Sequence, residues 1–156
     1  MWAAHRPCQP ARPPTPTIPP TQWSELVASL TKAYPEAAAL CIADLLNEPD
    51  AFGVRWEAQG DKPGAGDLYL AAMDAVHAVN PGMLFMVEGC GQNGLAQNWG
   101  VGLATDPKLV SERGLSDPNP FFTGLLAKPY AGQVVVGPHV YPPSVTHSTY
   151  AIQART

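Results

Sequence analysis

The sequence predicts an α/β fold in which parallel strands alternate with helices, and three observations lead to this class. First, the run 40–46 is mostly apolar without alternation and lies between Pro35 and Pro49, as in a strand that is buried on both faces. Second, two more short apolar runs follow at 83–87 and 134–136. Third, segments with helical spacing separate these runs, which is the order that β-α-β units produce.

Two helices are predicted from their apolar spacing. In the first, apolar residues recur at helical intervals over 23–34, with Thr21 as a possible N-cap and Pro35 as the stop. The second begins at Asp67, as its predicted cap, and stops at the Asn-Pro-Gly sequence of 80–82. Each helix is next to an apolar run, so helix and strand form one repeating unit.

The chain divides into a proline-rich tail over 1–20 and one α/β domain over 21–156. Seven prolines lie in the tail, and such a segment favours an extended, solvated state. We interpret it as a disordered tail or linker; a ligand for a domain with an aromatic groove is the alternative. Within the domain, a long loop is expected over 50–66 and a short helix over 121–127.

Composition excludes several classes of protein. A length of 156 residues with 46% hydrophobic content suits one domain with a real core. The net charge is −4 without a basic cluster, which gives nucleic-acid binding little support. No apolar run approaches the length of a membrane-spanning helix, and the N-terminus does not resemble a signal peptide. The three cysteines lack metal-ligand spacing. Cys41 and Cys90, in or beside predicted strands, are interpreted as buried small residues or unpaired thiols.

The polar residues Asn47 and Glu48 follow the first predicted strand directly. Pro49 cannot donate to a ladder, so the strand should end there. In α/β barrels the carboxyl ends of the strands carry the chemistry. A carboxylic acid that is surrounded there by apolar residues has a raised pKa and can donate a proton. The alternative interpretation is a polar turn after a strand.

The segment 45–49, Leu-Leu-Asn-Glu-Pro, resembles the Asn-Glu-Pro motif of strand four in glycoside hydrolase family 5, the cellulase family. Three further features occur in the family's order. They are the Asn-Pro and Val-Glu-Gly sequences within 80–89, Asn-Trp-Gly at 98–100 and His-Val-Tyr at 139–141. The resemblance covers residues 23–146 and leaves the proline-rich tail unexplained.

The resemblance implies a partial (β/α)8 barrel that contains about strands four to six. A complete barrel needs about 250 residues, so we expect this chain to be a middle piece of one. It also implies a retaining enzyme that hydrolyses O-glycosyl bonds of a β-glucan or mannan in polysaccharide breakdown. A polysaccharide or oligosaccharide would be its partner, without an organic cofactor or metal. Members of the family are usually secreted.

The resemblance also implies roles for single residues. Glu48 would be the acid/base, and Asn47 would hydrogen-bond the sugar's 2-hydroxyl. Trp99 would contact a glucosyl ring, and His139 would bind substrate at the cleavage subsite. Tyr141 matches the tyrosine that hydrogen-bonds the nucleophile and keeps it ionised.

The nucleophile is missing from this set. In the family it is a glutamate on strand seven, downstream of the His-x-Tyr sequence, and this chain contains no Glu after Glu112. Glu88 also follows a predicted strand, but the family commonly carries a glutamate there without using it as the nucleophile. We therefore leave the nucleophile unassigned and expect this chain alone to be weakly active or inactive.

The alternative function is a non-catalytic remnant that binds carbohydrate or another protein. It would keep Trp56, Trp99 and His139 for contact with sugars. Trp56, in the long loop, suits either stacking on a sugar or anchoring the loop. Asp44, inside the first apolar run, needs a polar partner. A metal site has no support from the spacing of His, Asp and Glu.

Overall fold

The computed structural model describes residues 19–38, 41–47, 49, 54–90, 103 and 105–138. The helices and strands of this part follow in the order α1 (Pro20–Ala33), α2 (Pro35–Ala38), β1 (Ile42–Asp44), α3 (Ala65–Val79), β2 (Leu84–Val87), α4 (Pro107–Arg113), α5 (Asn119–Leu126) and β3 (Val134–Val136). This mixture of helices and strands agrees with the predicted α/β class. The proline-rich segment 1–18 lies outside the described residues, and a partial barrel stays a prediction.

The three strands form one parallel sheet in the order β1-β2-β3. Asp44 of β1 lies opposite Met86 of β2, and Met86 lies opposite Val135 of β3. Parallel neighbours need crossover connections, and here α3 links β1 to β2 while α4 and α5 lie between β2 and β3. The carboxyl ends of all three strands therefore lie at the same edge of the sheet.

The two faces of the sheet differ in burial. On one face, Phe85 and Val87 are fully buried in the same apolar core as Met73 and Val76 of α3. The opposite face, here called the open face, is formed by the side chains at alternate positions. Its members are Ile42, Asp44, Leu84, Met86 and Val135.

Burial of the first strand on both faces was predicted wrongly. Ile42 is 45% exposed, because it lies on the open face and β1 is an edge strand of the described sheet. An apolar run indicates burial on two faces only where a layer of structure covers each face.

Both predicted helix caps are wrong. Helix α1 begins at Pro20, before Thr21. Helix α3 begins at Ala65 with Gly64 as its N-cap, so Asp67 lies inside its first turn. A carboxylate in the first turn interacts favourably with the helix dipole. A Cβ on Gly64 would overlap the Trp56 carbonyl oxygen. The close approach of the loop therefore requires a glycine as the N-cap, at Gly64, whereas the sequence suggested that Asp67 was the cap.

Helix α4 was not predicted, and α5 begins two residues earlier than expected. The Asp106 side chain accepts a hydrogen bond of 2.9 Å from the Lys108 N–H, and Pro107 occupies the first turn. Gly114 ends α4 with a φ of 61°. These residues match the usual order of cap, early proline and terminal glycine. No helix in the described ranges is long and apolar enough to cross a membrane.

Candidate functional site

The carboxyl edge of the sheet brings together residues that follow β1 and β2. Asn47 comes three residues after β1 and is exposed. Glu88 comes directly after β2 and is fully buried. Since β1 and β2 are parallel neighbours, both residues lie at the same edge, as the sequence predicted. Glu88 was not among the predicted site residues. Of those, Glu48, Trp99, His139 and Tyr141 lie outside the described residues.

Tyr69 of α3 connects the ends of β1 and β2. Its buried hydroxyl accepts a hydrogen bond of 3.0 Å from the Glu88 N–H. The same oxygen lies 3.2 Å from the Glu88 carbonyl oxygen and 3.4 Å from that of Leu46. The pKa of Tyr69 is raised above its ordinary value, mainly by burial. The hydroxyl therefore keeps its proton. Tyr69 thus positions the chain on which Asn47 and Glu88 lie.

Sequence reasoning missed Tyr69. It lies among the apolar residues Ala72, Met73 and Val76 of a predicted helix, where an aromatic ring indicates core packing. A buried tyrosine hydroxyl nevertheless needs a hydrogen-bond partner. The hydroxyl of Tyr69 was therefore the only indication in the sequence of a polar role, and the sequence does not identify its hydrogen-bond partner.

Asp44 lies on the open face, near the carboxyl edge. Its Oδ1 atom is buried, and none of the described residues donates a hydrogen bond to it. A buried carboxylate oxygen without a donor is costly. The partner that the sequence led us to expect for Asp44 is not found among the described residues, so it stays a prediction.

Trp56 anchors the loop between β1 and α3. Only 3% of it is exposed, and its ring stacks on Phe121 of α5 with centroids 5.0 Å apart and planes 25° apart. A ring buried in this way cannot offer its face to a sugar. Of the two interpretations left open by the sequence, loop anchoring is therefore correct.

A polar cluster of Arg55, Glu57 and Ser116 supports the same loop. The Trp56 N–H donates a 2.6 Å hydrogen bond to Ser116 Oγ, and Ser116 Oγ donates to the Glu57 carboxylate. Arg55 Nε lies 2.7 Å from the other carboxylate oxygen. Burial would raise the pKa of Glu57, but the hydrogen bonds from Ser116 and Arg55 outweigh burial and lower the pKa below its ordinary value. An ionised Glu57 suits a structural role and not a proton donor.

The described ranges hold no group of three or more His, Cys, Asp or Glu residues that could bind a metal ion. Cys90 is buried, as predicted, whereas Cys41 is exposed because it directly precedes the edge strand β1.

Comparison of the chain with protein-family models, with curated proteins and with solved structures gives no match. The described structure defines an α/β protein with a small parallel sheet and polar residues at the carboxyl edge. The resemblance to glycoside hydrolase family 5 rests on the sequence features alone.

Proposed function

We propose that this chain is the central part of the catalytic domain of a retaining glycoside hydrolase of family 5 that hydrolyses β-linked glucan. The observation that carries the proposal is the position of Asn47, exposed at the carboxyl edge of a parallel sheet. Glu48 is the next residue in the sequence. In barrels, this edge is where catalytic residues are found.

In this proposal two carboxyl groups cleave the glycosidic bond. Glu48 protonates the leaving oxygen while a second carboxylate attacks the anomeric carbon and forms a covalent glycosyl-enzyme. Glu48 then takes a proton from the water that hydrolyses this intermediate, so the configuration is retained. Asn47 hydrogen-bonds the 2-hydroxyl, an interaction that strengthens as positive charge develops on the sugar ring. The second carboxylate belongs to family strand seven and is not assigned in this chain.

Tyr69 supports this arrangement through the backbone. Leu46, whose carbonyl oxygen lies close to the Tyr69 hydroxyl, immediately precedes Asn47. A rigid strand end holds side chains more accurately than a free loop. The buried ring of Trp56, by contrast, weakens the alternative of a sugar-binding remnant, to which only Trp99 and His139 are left.

Binding tests the proposal without turnover. Titration of a β-linked glucan oligosaccharide into the isotope-labelled chain should shift the backbone amide signals of Asn47 and Glu88 at the carboxyl edge. The amide signal of Gly82, before β2 at the opposite edge, should not move. Asn47→Ala should weaken binding about fivefold, the effect of one hydrogen bond of about 1 kcal/mol.

Gln59→Ala serves as the control, since Gln59 is an exposed residue in a turn of the loop, and it should bind as the unchanged chain does. Shifts confined to the amino edge of the sheet, or equal binding by the Asn47→Ala variant, would contradict the proposal.

A further inference from the structure

Gly137 directly follows β3 and extends the pairing of β3 with β2 by one residue. Its N–H donates a 2.9 Å hydrogen bond to the carbonyl oxygen of Val87, the residue that lies opposite Val136 in the sheet register. Glu88, at the carboxyl edge, is the next residue after Val87. Gly137 therefore ties the carboxyl end of β3 to the carboxyl end of β2.

Backbone conformation does not explain the glycine at this position. Of the described glycines, only Gly60 and Gly114 have a positive φ, and the following Pro138 favours an extended conformation in the residue before it. A Cβ on Gly137 would lie 2.6 Å from Met86 Sδ and 2.8 Å from Met86 Cγ, which is too close for atoms that are not bonded. The close approach of the Met86 side chain therefore requires the glycine.

Met86 occupies the centre of the open face, near the carboxyl edge. It lies between Asp44 of β1 and Val135 of β3 in the sheet register, and its side chain is half-buried. Its thioether occupies the place that a side chain on Gly137 would take. Any side chain at position 137 would therefore displace either this thioether or the end of β3, and both lie beside the strand ends of the proposed site.

The carboxyl ends of the three strands are thus joined by two contacts. Tyr69 joins β1 to β2 through its hydroxyl, and Gly137 joins β2 to β3. His139, which the sequence predicts to bind substrate, comes two residues after Gly137. The contact between Met86 and Gly137 therefore sets the point from which the chain continues to His139.

We infer that Met86 and Gly137 are a positioning pair for the proposed sugar site. Their contact holds the end of β3, after which His139 follows, against the end of β2, after which Glu88 follows. Neither member of the pair needs to touch the sugar. The inference rests on the proposed function and deepens it, because the pair positions residues of that site.

Substitutions at both positions test the pair in the full chain. Gly137→Ala should weaken binding of a β-linked glucan oligosaccharide about tenfold and accelerate amide hydrogen exchange at position 137 by a similar factor, as an overpacked contact does. Met86→Ala removes the side-chain atoms that the added Cβ would meet. The double variant should therefore bind and exchange within about threefold of Met86→Ala alone. A glycine substitution that acted through the backbone alone would show no such rescue.

Gly132→Ala is the matched control. Gly132 lies just before β3, and a Cβ added there would meet no atom within 4 Å, so both measurements should stay unchanged. If Gly137→Ala does not fold, the comparison of Met86→Ala with the double variant decides alone.

The outcomes separate this inference from the proposed function. Binding by the unchanged chain that Gly137→Ala leaves intact would overturn the positioning pair and leave the proposed function standing. A double variant that binds more than about threefold more weakly than Met86→Ala would also overturn the pair. No binding by the unchanged chain would overturn the proposed function, and the role of the pair with it.

Discussion

At the scale of single residues, Tyr69 is the side chain that joins the ends of two strands. Tyr69→Phe removes the oxygen that accepts the buried Glu88 N–H, and a buried donor that loses its acceptor costs about 1–3 kcal/mol. Urea unfolding should report this loss, and amide hydrogen exchange at Glu88 should become faster. Tyr34→Phe makes the same change at an exposed tyrosine and should leave both measurements unchanged. Equal stability of the two variants would contradict the role given to Tyr69.

Ser116 is a second residue whose side chain, although small, should contribute measurably to the free energy of unfolding. Ser116→Ala removes the acceptor of the Trp56 N–H and a donor to Glu57, so we expect a loss of about 1–3 kcal/mol in the free energy of unfolding. Ser111→Ala, at an exposed position in α4, should change stability by less than about 0.5 kcal/mol. A loss of similar size in both variants would show that Ser116 acts only through helix or loop propensity.

Glu57 should make stability depend on pH. Its pKa is below the ordinary value of 4.5 in the folded chain, so the unfolded chain binds the proton more readily. The stabilisation is therefore present above pH 4.5 and is lost as the pH falls through the folded pKa. Asp74 behaves in the same direction, because hydrogen bonds from Lys128 and Tyr130 outweigh its burial and lower its pKa.

The urea concentration at the midpoint of unfolding should consequently decrease as the pH is lowered from neutral to about 3. In Glu57→Gln the fall should be smaller but should not vanish, because Asp74 still titrates. A curve for Glu57→Gln that runs parallel to that of the unchanged chain would refute the assignment to Glu57.

At the scale of elements, the end of α4 offers a test of backbone conformation alone. Gly114 has a φ of 61°, and a Cβ added to it would meet no atom within 4 Å. Gly114→Ala should therefore destabilise the chain by about 1 kcal/mol through strain in the left-handed region. Gly132→Ala also has open space but no positive φ, so it should be neutral or slightly stabilising in thermal unfolding. The reverse order would contradict this explanation.

The sequence predicted elements well where apolar residues set the pattern. The runs 40–46, 83–87 and 134–136 each contain a strand, because short apolar runs between turn residues favour strands. The helix ends were predicted poorly, since α3 starts where the loop approaches Trp56 and not where a capping side chain occurs. Helix α4 was missed because its seven residues are too few to show a periodic apolar face.

At the scale of the whole molecule, the proposed function predicts the behaviour of the isolated chain. With Glu48 as acid/base but no second assigned carboxylate, the 156-residue chain should be weakly active or inactive on a soluble β-glucan. Release of reducing sugar is the measurement. Turnover typical of an intact enzyme, of the order of 1–1000 per second, would show that this chain itself supplies the nucleophile.

The candidate site was predictable only in part, for a physical reason. The position of Asn47 follows from local order, because a residue that comes shortly after a parallel strand lies at the carboxyl edge. The contacts of Tyr69 with Leu46 and Glu88, and of Ser116 with Trp56, join residues that are 19 to 60 positions apart. Such contacts depend on how the helices pack on the sheet, which a single sequence does not specify.

The phenol of Tyr69 has one hydrogen to give, and two carbonyl oxygens lie within its reach, at 3.2 Å and 3.4 Å. Only one of them can receive it at any moment, so Leu46 and Glu88 compete for the same bond. A small displacement of one strand end would turn the hydroxyl toward the other. A movement of the backbone beside Asn47 would therefore change the hydrogen bond at the Glu88 carbonyl oxygen, because both strand ends share the one rotating hydroxyl of Tyr69.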